Sequence, residues 1–323
     1  MKKILLATTA LVGFAGAASA EVTISGSAEM GIAGGNRGAV TQFWTQIDAT
    51  FSMSGTTDGG LTFGADIDLD ESDGRNTTIF PTIGASPAFA GLTQGGETIF
   101  ISGSFGKITM GDTDGALDWA AQEIGMGSAI ADDHTTHAGY YANSGLDGTA
   151  GGQIARYEYS FGSFAAAVSA EIDTSIANND VFGVGVKYSG DFGGTKVGFG
   201  LGYQDNSVQS MYAVSANATM TNGIVIKVGY ADLDAQVIGA NDTWAGIGVG
   251  YTTGALLVQA NYGSFDVLGG ATVDGWGLVA NYDLGGGAVV MAGYGTGDVA
   301  AGNEIGGLYG SEDTFSVGLG LSF

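Results

Sequence analysis

The segment EDTFSVGLGLSF, residues 312–323, alternates apolar residues with small or polar ones up to its final position. Its apolar positions are Phe315, Val317, Leu319, Leu321 and Phe323. Successive side chains of an extended chain point to opposite faces, so these residues share one face of a predicted β-strand. A continuous apolar face of this kind must be buried against a protein core or against lipid. The remainder of the chain distinguishes these two environments.

The same period of two recurs after residue 20 and predicts an all-β fold with sixteen antiparallel strands. The predicted strands lie near residues 22–32, 41–54, 60–70, 97–104, 107–112, 153–161, 163–173, 180–189, 194–204, 209–219, 223–232, 242–252, 255–264, 273–282, 286–295 and 313–323. Short turn sequences such as TTDGG, GDFGG and LGGG alternate with long connections, of which residues 112–152 form the longest. An even number of strands of about ten residues, with turns at one end and long loops at the other, is typical of a transmembrane β-barrel.

The polar positions that alternate with the apolar ones indicate which face of each strand points to the inside of the barrel. Five basic residues fall on the phase opposite to the apolar one: Lys107, Arg156, Lys187, Lys196 and Lys227. A barrel of sixteen strands is too wide for side chains to fill, so its polar phase is expected to line water and its apolar phase to contact lipid. The predicted pore wall comprises Gln42, Gln46, Asp66, Asp68, Lys107 and Arg156. The inward phase also includes Trp44 and Trp244.

Aromatic residues at the strand ends indicate the orientation of the barrel. If the N-terminus is periplasmic, the outward-phase tyrosines that end strands at the extracellular rim are Tyr203, Tyr230, Tyr262 and Tyr294. At the periplasmic rim the corresponding residues are Tyr188, Tyr251, Tyr282 and Phe323. Two such bands match the aromatic girdles of transmembrane barrels. The last strand is then expected to pair with the strand that begins at Val22, which closes the barrel.

The composition excludes several classes of protein. Acidic residues number 33 against 9 lysines and arginines, so no basic patch for nucleic acid can form. The absence of cysteine excludes disulfides and thiolate metal sites. Lys2, Lys3, the apolar run that follows them and the small residues at 18–20 predict a cleaved signal peptide at residues 1–20. Residues 21–323 then form the barrel.

Residues 112–152 are the connection that carries the predicted functional site. The acidic residues assigned to the predicted constriction are Asp112, Asp114, Asp118, Glu123, Asp132 and Asp133. Folded into the barrel, this loop would narrow the channel and line it with carboxylates, which select ions by the sign of their charge. The alternative is that the same carboxylates hydrate an external loop. The stretch ALDWAAQEIG, residues 116–125, predicts a helix that Asp114 caps and Gly125 ends.

The same region offers ligands for a metal ion but no catalytic motif. The carboxylates of Asp68, Asp70, Asp112 and Asp114 suit a hard cation, so structural calcium is a candidate cofactor, although the spacing does not form an EF-hand. No other cofactor is required. The two histidines, His134 and His137, are expected to be solvated loop residues. The chain contains no serine-hydrolase elbow, phosphate-binding loop or zinc-protease motif, which argues against an enzyme.

Several sequence blocks spread over most of residues 21–323 are characteristic of one protein family. They are EVTISGSAEMGI at 21–32, FSMSGTTDGGLTFGADI at 51–67, IFISGSFGKITMGD at 99–112, YEYSFGSFAAAVSAEI at 157–172, YDLGGGAVVMAGYG at 282–295 and the terminal Phe323. These blocks resemble the general diffusion porins of Gram-negative bacteria, and most closely the Rhodobacter-type porins. The resemblance implies a homotrimer of sixteen-stranded barrels in the outer membrane, in contact with lipid and lipopolysaccharide. It also implies an inward-folded third loop, calcium at acidic loop clusters and recognition of Phe323 by the barrel-assembly machinery.

One departure from the family pattern changes the expected selectivity. The inward phase of the second strand carries Gln42, Trp44 and Gln46, where the resemblance implies arginines. Arg156 and Lys107 then remain as wall cations. We therefore expect a passive, cation-preferring channel for small hydrophilic solutes and ions. The alternatives are a substrate-specific outer-membrane channel and a non-conducting surface barrel or adhesin.

Overall fold

The computed structural model describes residues 21–35, 41–70, 93–130, 137, 139–173, 179–270, 272–297 and 312–323. The strands in these ranges are β1 (Glu21–Gly35), β2 (Gln42–Thr56), β3 (Thr62–Asp70), β4 (Thr93–Gly103), β5 (Gly106–Gly111), β6 (Ile154–Phe161), β7 (Phe164–Glu171), β8 (Val181–Phe192), β9 (Thr195–Asp205), β10 (Ser210–Thr219), β11 (Ile224–Asp232), β12 (Asn241–Thr253), β13 (Leu256–Val267), β14 (Val273–Gly285), β15 (Ala288–Gly297) and β16 (Glu312–Ser322). A short helix, α1 (Ala116–Ala120), lies between β5 and β6. The predicted sixteen strands are confirmed, while the predicted signal peptide at residues 1–20 lies outside the described ranges.

The strands form one closed antiparallel barrel in which each strand pairs with its neighbours in sequence. The closing pair is β1 and β16, with Ala28 opposite Leu321. Beyond the last paired residue, the Phe323 amide donates to the Gly26 carbonyl at 2.9 Å. The predicted seam is therefore confirmed, and closure pairs both edges of the sheet. No helix in the described ranges is long and apolar enough to cross a membrane.

Apolar side chains cover the outside of the barrel, which is the reverse of a water-soluble protein. In β9, Phe199, Leu201 and Tyr203 are exposed, whereas the alternate positions Gly200 and Gly202 are buried. The same alternation holds in β8, β12 and β13. The buried phase faces the barrel interior, so the predicted arrangement of apolar residues outside and polar residues inside is confirmed. An apolar outer surface of this extent suits contact with lipid.

Aromatic side chains lie in two outward-facing bands near the ends of the strands. Tyr203 and Tyr230 are exposed near the long-loop ends of β9 and β11. Tyr251 and Tyr282 are exposed near the short-turn ends of β12 and β14, where Phe323 is 78% exposed. These placements agree with the predicted girdles, in which amphipathic rings occupy the two interfaces of a membrane.

Candidate functional site

We call the connection between β5 and β6 the inner segment (residues 112–152), and the parts of it that the structure describes lie against the inner wall of the barrel. Residues 115–130 contact inward-facing side chains of strands between β7 and β16. Backbone amides of this stretch donate hydrogen bonds to the wall: Ala116 N to Ser169 Oγ at 2.8 Å, Gln122 N to Ser215 Oγ at 2.9 Å, Met126 N to Gln259 Oε1 at 3.2 Å and Ser128 N to Asn281 Oδ1 at 3.2 Å. These wall residues belong to β7, β10, β13 and β14, so the described part of the segment follows the barrel interior.

The helix predicted for residues 116–125 is wrong in its length and its cap. Helix α1 spans only Ala116–Ala120, its N-cap is Gly115 instead of Asp114, and no side chain caps it. Beyond this single turn, amides such as that of Gln122 bind wall side chains instead of carbonyls earlier in the segment. Each backbone amide needs one partner, and the wall supplies it, so tertiary contacts replace the helix.

Glycines on the inner wall let the backbone of the inner segment approach closely. A Cβ atom built at Gly202 of β9 would lie 2.5 Å from the Cα of Leu117. A Cβ atom at Gly248 of β12 would overlap the carbonyl oxygen of Ile124. A side chain at either position would therefore displace the segment from the wall, which explains glycine on the buried phase of these strands.

Two inward-facing lysines bind carbonyl oxygens of the inner segment. Lys187 Nζ on β8 donates to the Trp119 carbonyl at 2.8 Å and lies 3.7 Å from the centroid of the Trp119 ring. Lys227 Nζ on β11 donates to the Gly125 carbonyl at 2.6 Å. Charged donors make the stronger hydrogen bonds in proteins. The sequence pattern places both lysines on the inward phase but does not reveal this role, because the carbonyls lie 68 and 102 residues away in the chain.

The predicted wall cations Arg156 and Lys107 have different surroundings. The Arg156 side chain is 8% exposed, and its Nη1 donates to the carbonyl oxygen of Asp114. Its Nε donates to Glu158 Oε2 at 3.2 Å. Lys107 Nζ lies 4.8 Å from the centroid of the Phe100 ring, a cation–π distance. The charge of Arg156 is thus paired with a wall carboxylate and directed at the inner segment.

The far end of the described stretch bridges the seam of the barrel. Ser316 Oγ on β16 donates to the Ile130 carbonyl at 3.0 Å. The Ile130 side chain is fully buried in a cluster with Trp44 of β2 and Met291 of β15. A Cβ atom at Gly318 of β16 would lie 2.8 Å from Ile130 Cδ1. Ile130 of the inner segment therefore contacts strands on both sides of the seam between β1 and β16.

The second half of the inner segment is anchored by a buried carboxylate and a buried indole. Glu171 of β7 accepts hydrogen bonds from the amides of Gly148 at 3.0 Å, Ala150 at 3.0 Å and Gly152 at 2.6 Å. Trp244 Nε1 of β12 donates to the Gly139 carbonyl at 2.8 Å. Trp44 and Trp244 are both buried, so the two inward tryptophans support the segment instead of lining the lumen.

His137 is buried, which corrects the expectation that it is a solvated loop residue. It is 6% exposed, and its Nε2 lies 2.7 Å from Oδ1 of Asn261 on β13. Its Nδ1 accepts a hydrogen bond from the Gly139 amide at 3.2 Å. Together these contacts require a neutral ring with the proton on Nε2. Burial lowers the pKa of His137 to about 4. His134 lies outside the described residues.

Four of the predicted acidic residues of the inner segment are described, namely Asp112, Asp114, Asp118 and Glu123. Asp132 and Asp133 lie outside the described ranges. The Asp114 side chain is 62% exposed and lies 3.9 Å from Arg156 Nη1. Burial, with added repulsion from Asp114 and then Asp147, raises the pKa of Asp118 to about 7. The Asp118 carboxyl group of the inner segment therefore titrates near neutral pH.

The wall formed by β2, β3 and β4 also carries inward carboxylates. Each accepts a hydrogen bond from a hydroxyl group of a neighbouring strand: Asp48 from Ser27 at 3.0 Å, Asp68 from Thr50 at 2.8 Å and Asp66 from Thr98 at 3.3 Å. The predicted wall residues Gln42 and Gln46 lie on the same inward phase of β2, and Gln46 lies 3.4 Å from Asp48. Carboxylates thus occur on the inner segment and on this wall.

Metal ligands do not converge in the part of the chain that the structure describes. No group of three or more carboxylates and imidazoles there could hold a metal ion. The candidate calcium ligands Asp68, Asp112 and Asp114 belong to that part, whereas the side chain of Asp70 does not. The calcium site stays a prediction.

Comparison with known proteins identifies the family. A family model described as Gram-negative porin matches residues 7–302. The chain belongs to the Gram-negative porin family. This porin is 40% identical over 100 residues to a curated protein named Porin from Rhodobacter capsulatus. That match spans 30% of this chain and only 27% of the relative.

Solved porin structures share the barrel of this porin. A refined porin structure matches with a TM-score of 0.69 at 25% identity, over 94% of this chain and 100% of that one. An engineered triple variant of Rhodopseudomonas blastica porin matches with a TM-score of 0.69 at 18% identity, over the same shares of both chains. The predicted resemblance to Rhodobacter-type porins is confirmed, and the family and fold make this porin an outer-membrane barrel channel.

Proposed function

We propose that this porin is a general diffusion channel for small hydrophilic solutes and ions, and that it prefers cations. The observation that carries the proposal is the sign of the charge on both sides of the lumen. The inner segment contributes Asp114 and Asp118, and the wall contributes Asp48, Asp66 and Asp68. Charged residues that border a narrow pore select permeating ions by the sign of their charge.

The basic residues of the lumen support the same selectivity. Lys187 and Lys227 bind carbonyl oxygens of the inner segment, and Arg156 pairs with Glu158. The inward phase of β2 carries glutamines at positions 42 and 46, where the family resemblance implies arginines. Without arginines at these positions, the carboxylates of the inner segment and of the wall attract permeating cations, and low-dielectric walls strengthen that field.

The aromatic residues favour general diffusion over a substrate-specific channel. A specific channel would need exposed rings on which a solute could stack, whereas Trp44 and Trp244 are buried against the inner segment. The carboxylates of the wall bind hydroxyl groups of the barrel itself, which keeps them fixed in the lumen. These features favour selection by size and charge without a solute-binding ladder.

Planar-bilayer recordings test the proposal. The purified porin should conduct, with a reversal potential of the cation-selective sign in a salt gradient, and uncharged sugars of increasing size should enter porin-containing liposomes at decreasing rates. Asp114→Asn combined with Glu123→Gln should weaken the selectivity, whereas Asp58→Asn, in the exposed turn between β2 and β3, should not. Absence of conductance would contradict a channel and favour the non-conducting surface barrel. One sugar entering far faster than its isomers would favour the substrate-specific channel.

Assembly completes the proposal. The porin is exported with removal of residues 1–20 and forms a homotrimer in the outer membrane, in contact with lipid and lipopolysaccharide. Phe323 is exposed at the short-turn end, where its ring is accessible to the barrel-assembly machinery. Deleting Phe323 should lower the amount of heat-modifiable trimer in outer-membrane fractions. Equal amounts of trimer with and without Phe323 would contradict its role as an assembly signal.

A further inference from the structure

One cavity of the lumen has a lining that passive diffusion does not explain. It has a volume of about 520 Å³ and lies beside Ser128 of the inner segment, along the inner face of β12–β16 and β1. Its size is within the range of about 300–1,000 Å³ that is usual for small-molecule sites. The amide of Ser128 donates to Asn281 on β14, which fixes the segment at the border of the cavity.

Part of the cavity lining is apolar. Leu257 of β13 and Val289 and Met291 of β15 line it on the inward phase. Other inward apolar residues, such as Ala213 and Phe265, are buried in a core cluster with residues of the inner segment, whereas Leu257 and Val289 are only partly buried. A partly exposed apolar surface in a water-filled lumen is a candidate ligand surface.

The apolar surface is held in a fixed position. Met291 is buried with Trp44 and Ile130, and Val289 packs against the same cluster. A Cβ atom at Gly320 of β16 would lie 2.5 Å from the Met291 sulfur, so the thioether rests directly on the wall. The apolar part of the cavity is therefore preformed, which lowers the entropy cost of binding a ligand there.

The charged residues of the cavity are acidic. Glu29 of β1 and Asp283 of β14 line it, and its described lining includes neither lysine nor arginine. Trp44 Nε1 donates to Glu29 at 3.2 Å, and the Gly285 amide donates to Asp283 at 2.7 Å, so both carboxylates are oriented by the wall. These charges repel anions and attract cations.

We infer that this cavity binds small organic cations in which an ammonium group is joined to a short apolar chain. The ammonium group contacts the carboxylates of Glu29 or Asp283, and the chain covers Leu257, Val289 and Met291. The inference rests on the proposed cation-preferring channel, because the ligand must enter the lumen to reach the cavity. An occupied cavity narrows the lumen beside Ser128 and reduces the ionic current.

A series of blockers on the unaltered porin tests this inference. Tetramethylammonium, butyltrimethylammonium, hexyltrimethylammonium and hexanoate are added separately to single open channels. The affinity of block is expected to rise about two- to fourfold for each added methylene, the gain that burial of one CH₂ group gives. Hexanoate should not block at the same concentrations. Equal block by the three cations, or block by hexanoate, would overturn the inference while leaving a cation-preferring conductance intact. A porin without conductance would contradict the proposed function itself.

A pair of matched variants locates the site. Val289→Thr keeps the shape of the side chain but replaces one methyl group by a hydroxyl group, so block by hexyltrimethylammonium should weaken at least about threefold. Val225→Thr makes the same change on the inward phase of β11, where the residue does not line the cavity, and should leave block unchanged. The same response in both variants would place the bound chain elsewhere and overturn the assignment. If Val289→Thr fails to assemble, the blocker series on the unaltered porin decides alone.

Discussion

Lys187 of the barrel wall holds Trp119 of the inner segment by two contacts at once. Its ammonium group donates to the Trp119 carbonyl at 2.8 Å and lies 3.7 Å from the centre of the indole ring. Lys227 also donates to a carbonyl of the inner segment, that of Gly125, at 2.6 Å. The inward lysines of β8 and β11 therefore act on the inner segment, and their position helps to determine the shape of the lumen.

Replacing both lysines should loosen the inner segment. In the double variant Lys187→Met, Lys227→Met, open-channel noise and spontaneous closures should increase, because each hydrogen bond from a charged donor contributes about 1.5–3 kcal/mol. Single-channel recordings at low voltage measure the effect. Lys196→Met is the control, since Lys196 is an inward-phase lysine of β9 without a described hydrogen bond to the segment. Equal noise in the control and the double variant would contradict the anchoring role.

Adding a methyl group to the wall should displace the inner segment at one position and not at its neighbour. Gly248→Ala places Cβ against the backbone carbonyl of Ile124, whereas the nearest contact of Gly250→Ala on the same strand and face is the flexible Met126 side chain at 3.0 Å. We expect Gly248→Ala to alter single-channel conductance and to lower the temperature at which the folded gel mobility is lost. Gly250→Ala should change neither. A neutral effect of Gly248→Ala would show that the segment does not rest on the wall there.

Cation preference should increase as the pH rises through neutrality. Burial, with repulsion from Asp114 and Asp147, raises the pKa of Asp118 from 3.8 to about 7, so the carboxyl group gains its charge near that pH. Reversal potentials at about pH 5 and about pH 9 measure the change, well on either side of this value. Asp118→Asn should remove the pH-dependent step. A step of the same size in the variant would assign it to another group.

The Asp118 carboxyl group should also make the free energy of unfolding depend on pH, and this free energy should fall where the cation preference rises. Between pH 3.8 and about 7 the folded porin keeps a proton that the unfolded chain has lost, so the free energy of unfolding should fall as the pH rises through this range. Denaturant unfolding of the unaltered porin and of Asp118→Asn across this range measures the difference. The variant should lose this part of the pH dependence, and an unchanged profile would contradict the buried position of Asp118.

His137 should make the inner segment sensitive to acid. Burial lowers its pKa from 6.5 to about 4, so the unfolded chain takes up a proton that the folded porin resists. The stability that His137 provides is therefore complete above about pH 6.5 and is lost as the pH falls toward about 4. In limited proteolysis, cleavage of the inner segment should increase as the pH falls through this range. His137→Gln, which cannot take up that proton, should lack this increase, and a parallel increase in the variant would refute the assignment.

The strands were predictable because each one repeats a simple local pattern. The alternation from Phe315 to Phe323 depends only on the lipid outside and the water inside, and it reports both the strand and the direction of its faces. Closure of β16 on β1 follows because a barrel in a membrane cannot leave an edge unpaired. Nothing distant along the chain is needed for these conclusions.

The arrangement of the inner segment was not predictable in the same way, because its contacts join residues far apart in sequence. Ile130 and Ser316 are separated by 186 residues, and His137 and Asn261 by 124. Composition alone favoured a longer helix after Ala116, since it cannot show that wall side chains such as Ser215 satisfy the backbone amides. The acidic residues were recognisable, but the carbonyl partners of Lys187 and Lys227 were not.

The sign of the reversal potential is the most direct test of a lumen with carboxylates on both sides. It is measured for the purified porin in a steep potassium chloride gradient at neutral pH, and then for Asp66→Asn combined with Asp68→Asn and Asp114→Asn. Carboxylates on both sides of the lumen should shift the reversal potential from zero toward the potassium equilibrium potential. This shift should become smaller in the triple variant and stay unchanged in Asp58→Asn. A reversal potential shifted toward the chloride equilibrium potential, or an unchanged value in the triple variant, would contradict cation selection by these carboxylates.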